Sequence, residues 1–284
     1  MPVTITNNTL TATIAEKGAE LISLQKQGKE LIWEGNPYYW GKHSPVLFPI
    51  VGTLKNNRYT TRGRQYEMGR HGFARDMSFK VSDQSDDRVT SVLTENESTL
   101  AAYPFAFELK MHYLLNGPEL EITYEVTNTG NKLMPYSLGA HPAFALDSNI
   151  ENYSLAFAED DEIVYHHLKD DLICRETSVI PLSRHQLMLS SKLFENDALV
   201  IKSLRSREVT LLKNNRPILT VALGDFPNLG LWTKPGAPFI CIEPWQGYAD
   251  SVESQTDILE EKEGIRLLDI SDMHSYKLRI KPEI

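Results

Sequence analysis

The chain has 284 residues, two cysteines and a formal net charge of -9 at pH 7. This length suffices for one large β domain or two small domains, and no Gly/Ser/Pro-rich linker or charge block divides it, so we expect a single domain over 1–284. The acidic balance argues against nucleic acid and against an anionic membrane surface as partners.

The predicted elements begin close to the N-terminus. Residues 1–8 carry neither the basic nor the apolar segment of a secretory signal, and no later apolar stretch approaches the length of a membrane span. Alternating apolar residues at Thr9–Ile14 and Glu20–Leu24 then predict a first pair of strands. We therefore expect a cytoplasmic protein that does not engage a membrane.

The strongest strand signal lies in the middle of the chain. Apolar and polar residues alternate through Phe107–Tyr113 and again from Leu120 to Val126, with Asn116-Gly117 between the two runs. Asn-Gly between alternating runs predicts a β-hairpin. A similar pair, Val209–Leu212 and Ile218–Leu223, surrounds Asn214-Asn215.

Helical candidates are short and few. Only Ser98–Tyr103 and Asp257–Lys262 are predicted as helical segments. Many short strands with frequent turns instead predict an all-β, antiparallel sandwich. The polar residues of the central hairpin either line a concave face that holds a polar ligand or form ordinary solvated surface; they are Lys110, His112, Glu121 and Glu125.

A carboxylate follows an apolar run near the C-terminus, in Phe239-Ile-Cys-Ile-Glu243-Pro-Trp245. The run closed by proline predicts a buried strand that ends at Glu243. Partial desolvation raises the pKa of such a carboxyl toward neutrality, which suits a general base. Trp245 beside it offers a flat face for a sugar ring. The alternative is a structural glutamate that caps a loop or meets an arginine.

Two histidines lie in segments rich in small residues. His71 belongs to Arg70–Arg75, and His141 belongs to Ser137–Phe144. Small residues allow the backbone to turn and a ligand to approach closely. Neither segment has an amphipathic helical pattern, so each histidine is a candidate site residue or, alternatively, a hydrogen-bonded structural histidine.

Together these segments resemble the aldose 1-epimerase (galactose mutarotase-like) superfamily, in the branch of the LacX-type proteins. The matching segments are Trp40, Ser44–Gly52, His71–Arg75, Gly139–Phe144, Asp225–Trp232 and Pro238–Asp250. The resemblance implies a large, twisted antiparallel β-supersandwich that binds sugars on a concave sheet face. It also implies that Glu243 is the general base, His141 the general acid and His71 a second histidine that binds the sugar.

The resemblance also suggests supporting residues. Arg75 is expected to support the His71 loop, and Trp232 either packs under the sugar or fills the core. Asp225 either bonds hydroxyls or fixes the Asp-Phe-Pro turn. Relatives place an arginine before the Pro-x-x-x-Pro segment, where this chain has Lys42, which lacks the bidentate guanidinium.

These residues suit the opening of a hemiacetal ring. One base takes the anomeric proton and one acid protonates the ring oxygen, so the reaction needs no cofactor, and we expect neither a cofactor nor a metal. The leading hypothesis is a hexose 1-epimerase acting on a small-molecule sugar, as a monomer or homodimer. The alternatives are a hexose-phosphate 1-epimerase and a non-catalytic carbohydrate-binding protein. A glycoside hydrolase fits less well, because hydrolysis usually needs two carboxylates.

Overall fold

The computed structural model describes residues 1–283 as strands joined by short turns. In chain order the strands are β1 Val3–Thr6, β2 Leu10–Ile14, β3 Leu21–Lys26, β4 Lys29–Glu30, β5 Val46–Leu47, β6 Arg58–Thr61, β7 Arg64–Glu67, β8 Lys80–Gln84, β9 Arg88–Thr94, β10 Phe107–Asn116, β11 Glu119–Asn128, β12 Met134–Tyr136, β13 Leu138–Ala140, β14 Ala143–Ala145, β15 Tyr153–Phe157, β16 Glu162–Lys169, β17 Leu172–Pro181, β18 Gln186–Met188, β19 Leu199–Ile201, β20 Glu208–Lys213, β21 Arg216–Ala222, β22 Asn228–Trp232, β23 Phe239–Gln246, β24 Arg266–Leu268 and β25 Met273–Pro282. The helical segments are α1 Glu97–Ala102 and the 3-10 turns Lys55–Asn57, Ala74–Asp76, Ile150–Asn152, Ser191–Phe194 and Leu259–Glu261.

Two large antiparallel sheets dominate the molecule. A nine-stranded sheet has the order β18-β15-β20-β21-β25-β11-β10-β9-β8. An eight-stranded sheet has the order β17-β16-β19-β22-β23-β13-β5, and its eighth strand, β14, also pairs with β23. A smaller sheet holds β1 to β4. The apolar faces of the two large sheets meet in one core, where the rings of Phe48 and Phe107 lie 5.0 Å apart. The predicted all-β sandwich is confirmed.

The three predicted strand pairs are also confirmed, with one turn displaced. β10 and β11 pair so that Asn116 lies opposite Glu119. The connecting turn is therefore Gly117-Pro118, one residue later than predicted, and Gly117 adopts the left-handed φ of 58° that glycine tolerates. The Asn214-Asn215 turn lies where predicted, with both residues at positive φ.

The helical candidates form as short segments. Asn96 caps α1 through its side chain, which accepts from the amides of Ser98 and Thr99. The second candidate shrinks to the 3-10 turn Leu259–Glu261. Within residues 1–283, no helix combines the length and apolar character needed to cross a membrane.

The polar face of the central hairpin is not the ligand face. Its residues alternate with buried neighbours along β10 and β11. His112 lies 3.1 Å from Glu125, and Lys277 lies 2.8 Å from Glu121. The side chains thus pair with one another on the outer surface of the nine-stranded sheet, and the cavity described below belongs to the other sheet.

Candidate active site

A cavity of about 550 Å³ opens on the eight-stranded sheet. Its size falls within the usual range of small-molecule sites. Aromatic and titratable side chains line it together: Trp40, Arg70, His71, Arg75, His141, Asp171, Asp197, Trp232, Lys234, Glu243 and Trp245. Two catalytic candidates and four of the predicted substrate-binding residues therefore share one cavity.

Strand β23 supplies the floor of this cavity. Its two faces are both buried: Ile240 and Ile242 belong to the main core, whereas Glu243 and Trp245 line the cavity on the opposite face. The prediction that Pro244 ends the strand is wrong. Pro244 lies opposite Leu229 within the ladder, and the strand continues to Gln246. Glu243 is consequently inside a central strand and only 1 % exposed.

Glycines on both neighbouring strands make room for Trp245. A Cβ atom on Gly139 of β13 would lie 2.7 Å from the indole, and one on Gly230 of β22 would lie 2.5 Å from it. Contacts this short are steric clashes, so any side chain at either position would displace the ring. The indole therefore covers the sheet where both flanking strands carry no side chain.

Strand register brings His141 to Glu243. Gly139 pairs with Trp245 and Ala143 pairs with Cys241, so His141, midway between them, lies opposite Glu243. His141 Nε2 is 3.2 Å from Glu243 Oε2. Trp40 stacks on the His141 ring with centroids 4.8 Å apart, and this contact fixes the plane of the imidazole.

Several polar atoms of this floor have no protein partner. Within residues 1–283, no side chain or backbone group forms a hydrogen bond with Glu243 Oε2, His141 Nδ1 or Trp245 Nε1, although all three atoms are buried. The angle of the His141–Glu243 contact does not satisfy hydrogen-bond geometry. Buried polar atoms normally have partners, so these atoms are available to hydrogen-bond a ligand in the cavity.

Burial displaces the pKa values of the pair in opposite directions. It raises the pKa of the Glu243 carboxyl well above its usual value; Asp197 adds to this effect, and Arg70 and Trp245 oppose it. Burial also lowers the pKa of His141 to about 3. Both shifts disfavour charge, so burial favours a protonated Glu243 carboxyl and a neutral His141 imidazole.

His71 has a strained backbone and a defined tautomer. Its φ of 68° is unusual for a residue other than glycine. The backbone N–H of Gly52 donates to His71 Nδ1 at 3.1 Å, and burial lowers the pKa of His71 well below its usual value. Nδ1 of the neutral ring is therefore the acceptor, and Nε2 carries the hydrogen. Arg70 Nε also lies 3.2 Å from Nε2, and a ring that carries its hydrogen on Nε2 cannot accept from it, so this contact is not a hydrogen bond in that tautomer.

The rim of the cavity is held by ion pairs. Arg70 lies 2.9 Å from Asp171 and 3.7 Å from Asp197, so it links three separate loops. Arg75 donates to the backbone carbonyl of Arg70 at 2.7 Å. This contact supports the segment that carries His71, as the sequence suggested.

Two predicted substrate-binding residues lie elsewhere. Lys42 extends toward Asp76, at 3.2 Å, and does not line the cavity, whereas the guanidinium groups of Arg70 and Arg75 do line it. Asp225 is exposed, and its carboxylate accepts from the backbone N–H of Lys277 at 3.1 Å, which favours the turn alternative.

Sequence reasoning missed several cavity residues. Trp40 began the first matching segment but was not assigned a role. Asp171 belongs to the tight turn between β16 and β17, where Asp170 and Asp171 both have positive φ. Its sequence context indicates a turn and gives no sign of a position in the cavity. Asp197 had no recognisable local signal.

Possible metal ligands also converge here, which the sequence spacing did not reveal. Ligand atoms of His141, Cys241 and Glu243 lie within 4.8 Å of one another. Zinc requires a thiolate from cysteine. Burial raises the pKa of the Cys241 thiol well above its usual value, so the thiol stays protonated and is a poor ligand.

The opposite pKa shifts predict opposite effects on stability. His141 has a depressed folded-state pKa, so its contribution is present above its unfolded value of 6.5 and is lost as pH falls toward 3. Protonation of His141 in the unfolded chain should lower the free energy of unfolding by about 2 kcal/mol between pH 7 and pH 5, and His141→Asn should abolish this loss. Glu243 has a raised folded-state pKa, so its contribution is lost as pH rises above its unfolded value of 4.5. The free energy of unfolding of Glu243→Gln should therefore fall more steeply than that of wild type as the pH drops from 7 to 5.

Urea unfolding at a series of pH values measures both slopes. His185→Asn is the matched control, because this side chain is half exposed and its backbone φ of 59° also suits asparagine. Equal slopes for wild type and both site variants would contradict the protonation states assigned to the pair.

Comparison with known proteins identifies the family of the chain. The aldose 1-epimerase family model matches residues 1–257. The chain is 35% identical over 278 residues to the chromosomal LacX protein of Lactococcus lactis subsp. lactis, covering 92% of this chain and 93% of that protein. The galactose mutarotase related enzyme of Lactobacillus acidophilus superimposes with a TM-score of 0.95 at 34% identity, covering 100% and 98% of the two chains. A galactose mutarotase-like protein of Lactobacillus casei ATCC 334 superimposes with a TM-score of 0.91 at 31% identity, covering 99% of each chain. The chain therefore belongs to the aldose 1-epimerase family.

Proposed function

We propose that this protein is a mutarotase that interconverts the α and β anomers of an unphosphorylated aldose. The observation that carries the proposal is the buried pair His141 and Glu243. His141 Nε2 lies 3.2 Å from Glu243 Oε2, and within residues 1–283 neither Glu243 Oε2 nor His141 Nδ1 has a hydrogen-bond partner. The two reacting oxygens of a pyranose, O1 and O5, are bonded to the same carbon. Two adjacent groups can therefore reach both oxygens at once.

The pair moves two protons in each half-reaction. As sugar enters, its hydroxyls and the Arg70 guanidinium favour the carboxylate, and the proton passes to His141. Glu243 then takes the proton from O1 while His141 donates to O5, and the C1–O5 bond breaks. This leaves a protonated carboxyl and a neutral imidazole, the state that burial favours in the empty site. After C1 rotates, O5 attacks its opposite face and both transfers reverse.

The surrounding residues position the ring. His71 can donate from Nε2 to the ring oxygen, which assists the protonation by His141. Its ring lies 5.8 Å from that of His141, nearly perpendicular. Trp232 contacts the other side of His141 edge-on, at 5.9 Å between centroids, and both it and Trp245 offer apolar surface to the sugar.

The cations of the cavity are already occupied, which favours a neutral substrate. Arg70 is paired with Asp171 and Asp197, and Lys234 donates to the backbone carbonyl of Tyr38 at 3.3 Å. The two aspartates would repel a phosphate dianion, whereas they accept hydrogen bonds from hydroxyls.

We therefore expect kcat/KM for glucose or galactose to exceed that for the corresponding 6-phosphates by at least tenfold. Anomer-resolved NMR exchange across free and phosphorylated aldoses measures this preference. A phosphosugar preferred tenfold, with the preference shrinking as salt screens the charges, would identify a hexose-phosphate epimerase instead. Sugar binding without any exchange above the spontaneous rate would identify a carbohydrate-binding protein.

Metal removal tests the acid–base assignment independently. We expect a chelator to leave turnover unchanged, because the proposed steps use only side-chain protons and the Cys241 thiol is a poor ligand. The measurement is the mutarotation rate before and after prolonged treatment with chelator. Suppose instead that chelation abolished activity, that a divalent ion restored it, and that the ion failed to do so in Cys241→Ser. These results together would establish a metal at His141, Cys241 and Glu243.

A further inference from the structure

Exposed apolar side chains gather around the small two-stranded sheet of β12 and β24. Leu133, Leu267, Ile270 and Met273 are 40% to 53% exposed, and none of them lines the catalytic cavity. We call these four residues the β24 patch. Exposed apolar surface of this kind marks interaction sites on soluble proteins. From its geometry we propose that two copies of this protein associate through the β24 patch, with the two β24 strands paired antiparallel about a twofold axis at Leu267.

A buried asparagine holds the segments of the patch together. Asn128 is 1% exposed, and its side-chain amide donates to the backbone carbonyls of Lys132 at 2.7 Å and Leu268 at 2.9 Å. Its backbone N–H donates to the carbonyl of Asp272 at 3.0 Å, and its carbonyl accepts from the N–H of Ser271 at 3.1 Å. These bonds join the three segments that carry the four apolar residues. The patch is therefore ordered before a partner binds, which reduces the entropic cost of association.

Strand β24 has a free edge at the centre of the patch. Pro135 lies opposite Leu267, and the residue pairs on either side of them complete the ladder. Because proline has no N–H, those flanking pairs make the ladder bonds, and the N–H and carbonyl of Leu267 face away from β12. Within residues 1–283, no strand other than β12 pairs with β24. An unpaired edge of this kind is a template for a strand of another chain.

The charges around the patch favour a second copy as that chain. Two cations, Lys132 and Arg266, and two anions, Asp269 and Asp272, are exposed there, and none of them forms an ion pair within residues 1–283. A twofold interface brings the same surface of both copies together, so it needs both signs of charge on one patch.

The register about Leu267 gives these charges specific partners. The two Leu267 residues exchange both of their backbone hydrogen bonds, as a hydrogen-bonded antiparallel pair does. Arg266 of one copy then lies opposite Leu268 of the other, next to Asp269. The twofold axis repeats this arrangement, so two Arg266–Asp269 ion pairs form across the interface.

Sedimentation velocity over a series of protein concentrations tests the interface. We expect the wild type to form a dimer that dissociates on dilution. Leu267→Glu places two like charges at the axis, and Arg266→Asp turns each ion pair into a repulsion, so each variant should weaken the dimer at least tenfold. Combining Arg266→Asp with Asp269→Arg exchanges the charges and should restore the dissociation constant to within threefold of wild type. Met188→Glu is the matched control, because Met188 is an exposed apolar residue on another edge strand, β18.

The outcomes are independent of the proposed catalysis. The altered residues lie outside the cavity, so every variant should keep the wild-type mutarotation rate and unfolding transition. A wild type that stays monomeric at its highest soluble concentration would overturn the proposal. A dimer that Leu267→Glu and Arg266→Asp weaken no more than Met188→Glu does would also overturn it, because the interface would then lie elsewhere. Failure of the charge exchange to restore association would overturn the register about Leu267.

Discussion

Glu243→Gln is expected to lower kcat by about 10³-fold or more while the protein stays folded. Glutamine keeps the shape of the side chain but cannot take the O1 proton, and one general base contributes about 10²–10⁴ in rate. Burial favours the uncharged form of the Glu243 carboxyl, and glutamine is a neutral group of the same shape, so the substitution should be tolerated by the fold. Polarimetry on freshly dissolved sugar, with the spontaneous rate subtracted, measures the loss.

Glu121→Gln is the control for this variant. Glu121 lies on the outer surface of the opposite sheet, where it pairs with Lys277, and its replacement should leave the rate unchanged. Full activity of the Glu243→Gln protein would remove Glu243 from the mechanism. A misfolded variant is recognised because its cooperative unfolding transition is lost. In that case Glu243→Asp is used instead: it retains the carboxyl group on a shorter side chain, and its rate should also fall because the carboxyl no longer reaches O1.

The second large effect is expected for His141→Asn, which should lower kcat by at least about 10²-fold. Asparagine can still donate a hydrogen bond to O5 but cannot transfer a proton, so binding should suffer less than turnover. The matched control is His112→Asn, because His112 pairs with Glu125 on the outer face of the other sheet. A larger loss for His112→Asn than for His141→Asn would show that the acid is misassigned.

The double variant tests whether the two residues act as a unit. When two groups must each transfer a proton in the same step, removing either group stops the step, and the second substitution has little left to remove. We therefore expect the double variant to retain about the same residual rate as the slower single variant. Losses that multiply would mean that Glu243 and His141 act independently.

Much of the fold follows from local patterns in the sequence. The period of two in Phe107–Tyr113 identifies β10 because each buried residue there alternates with a more exposed one. β23 is harder to place, because both of its faces are buried and an apolar run does not show where such a strand ends. The strand continues through Pro244 because its neighbours on both sides hold it in the ladder.

The candidate site depends on contacts that local patterns do not contain. The approach of His141 to Glu243 arises from the pairing of strands more than 90 residues apart, and the resemblance, not the spacing, suggested it. The ion pair that holds Lys42 toward Asp76 could not be read from the sequence, because the two residues are far apart along the chain. Asp197 was missed because its position in the cavity depends on how β19 joins the sheet.

The glycines beneath Trp245 bear on how this protein can diversify. Because any side chain at Gly139 or Gly230 would displace the indole, single substitutions at these positions would damage the site before they could alter its preference. The rim residues Asp171 and Asp197 are partly exposed, and their positive φ limits which residues can replace them without requiring a glycine. Descendants of this chain can therefore acquire new sugar specificities through changes in these loops, while the inherited floor conserves the chemistry.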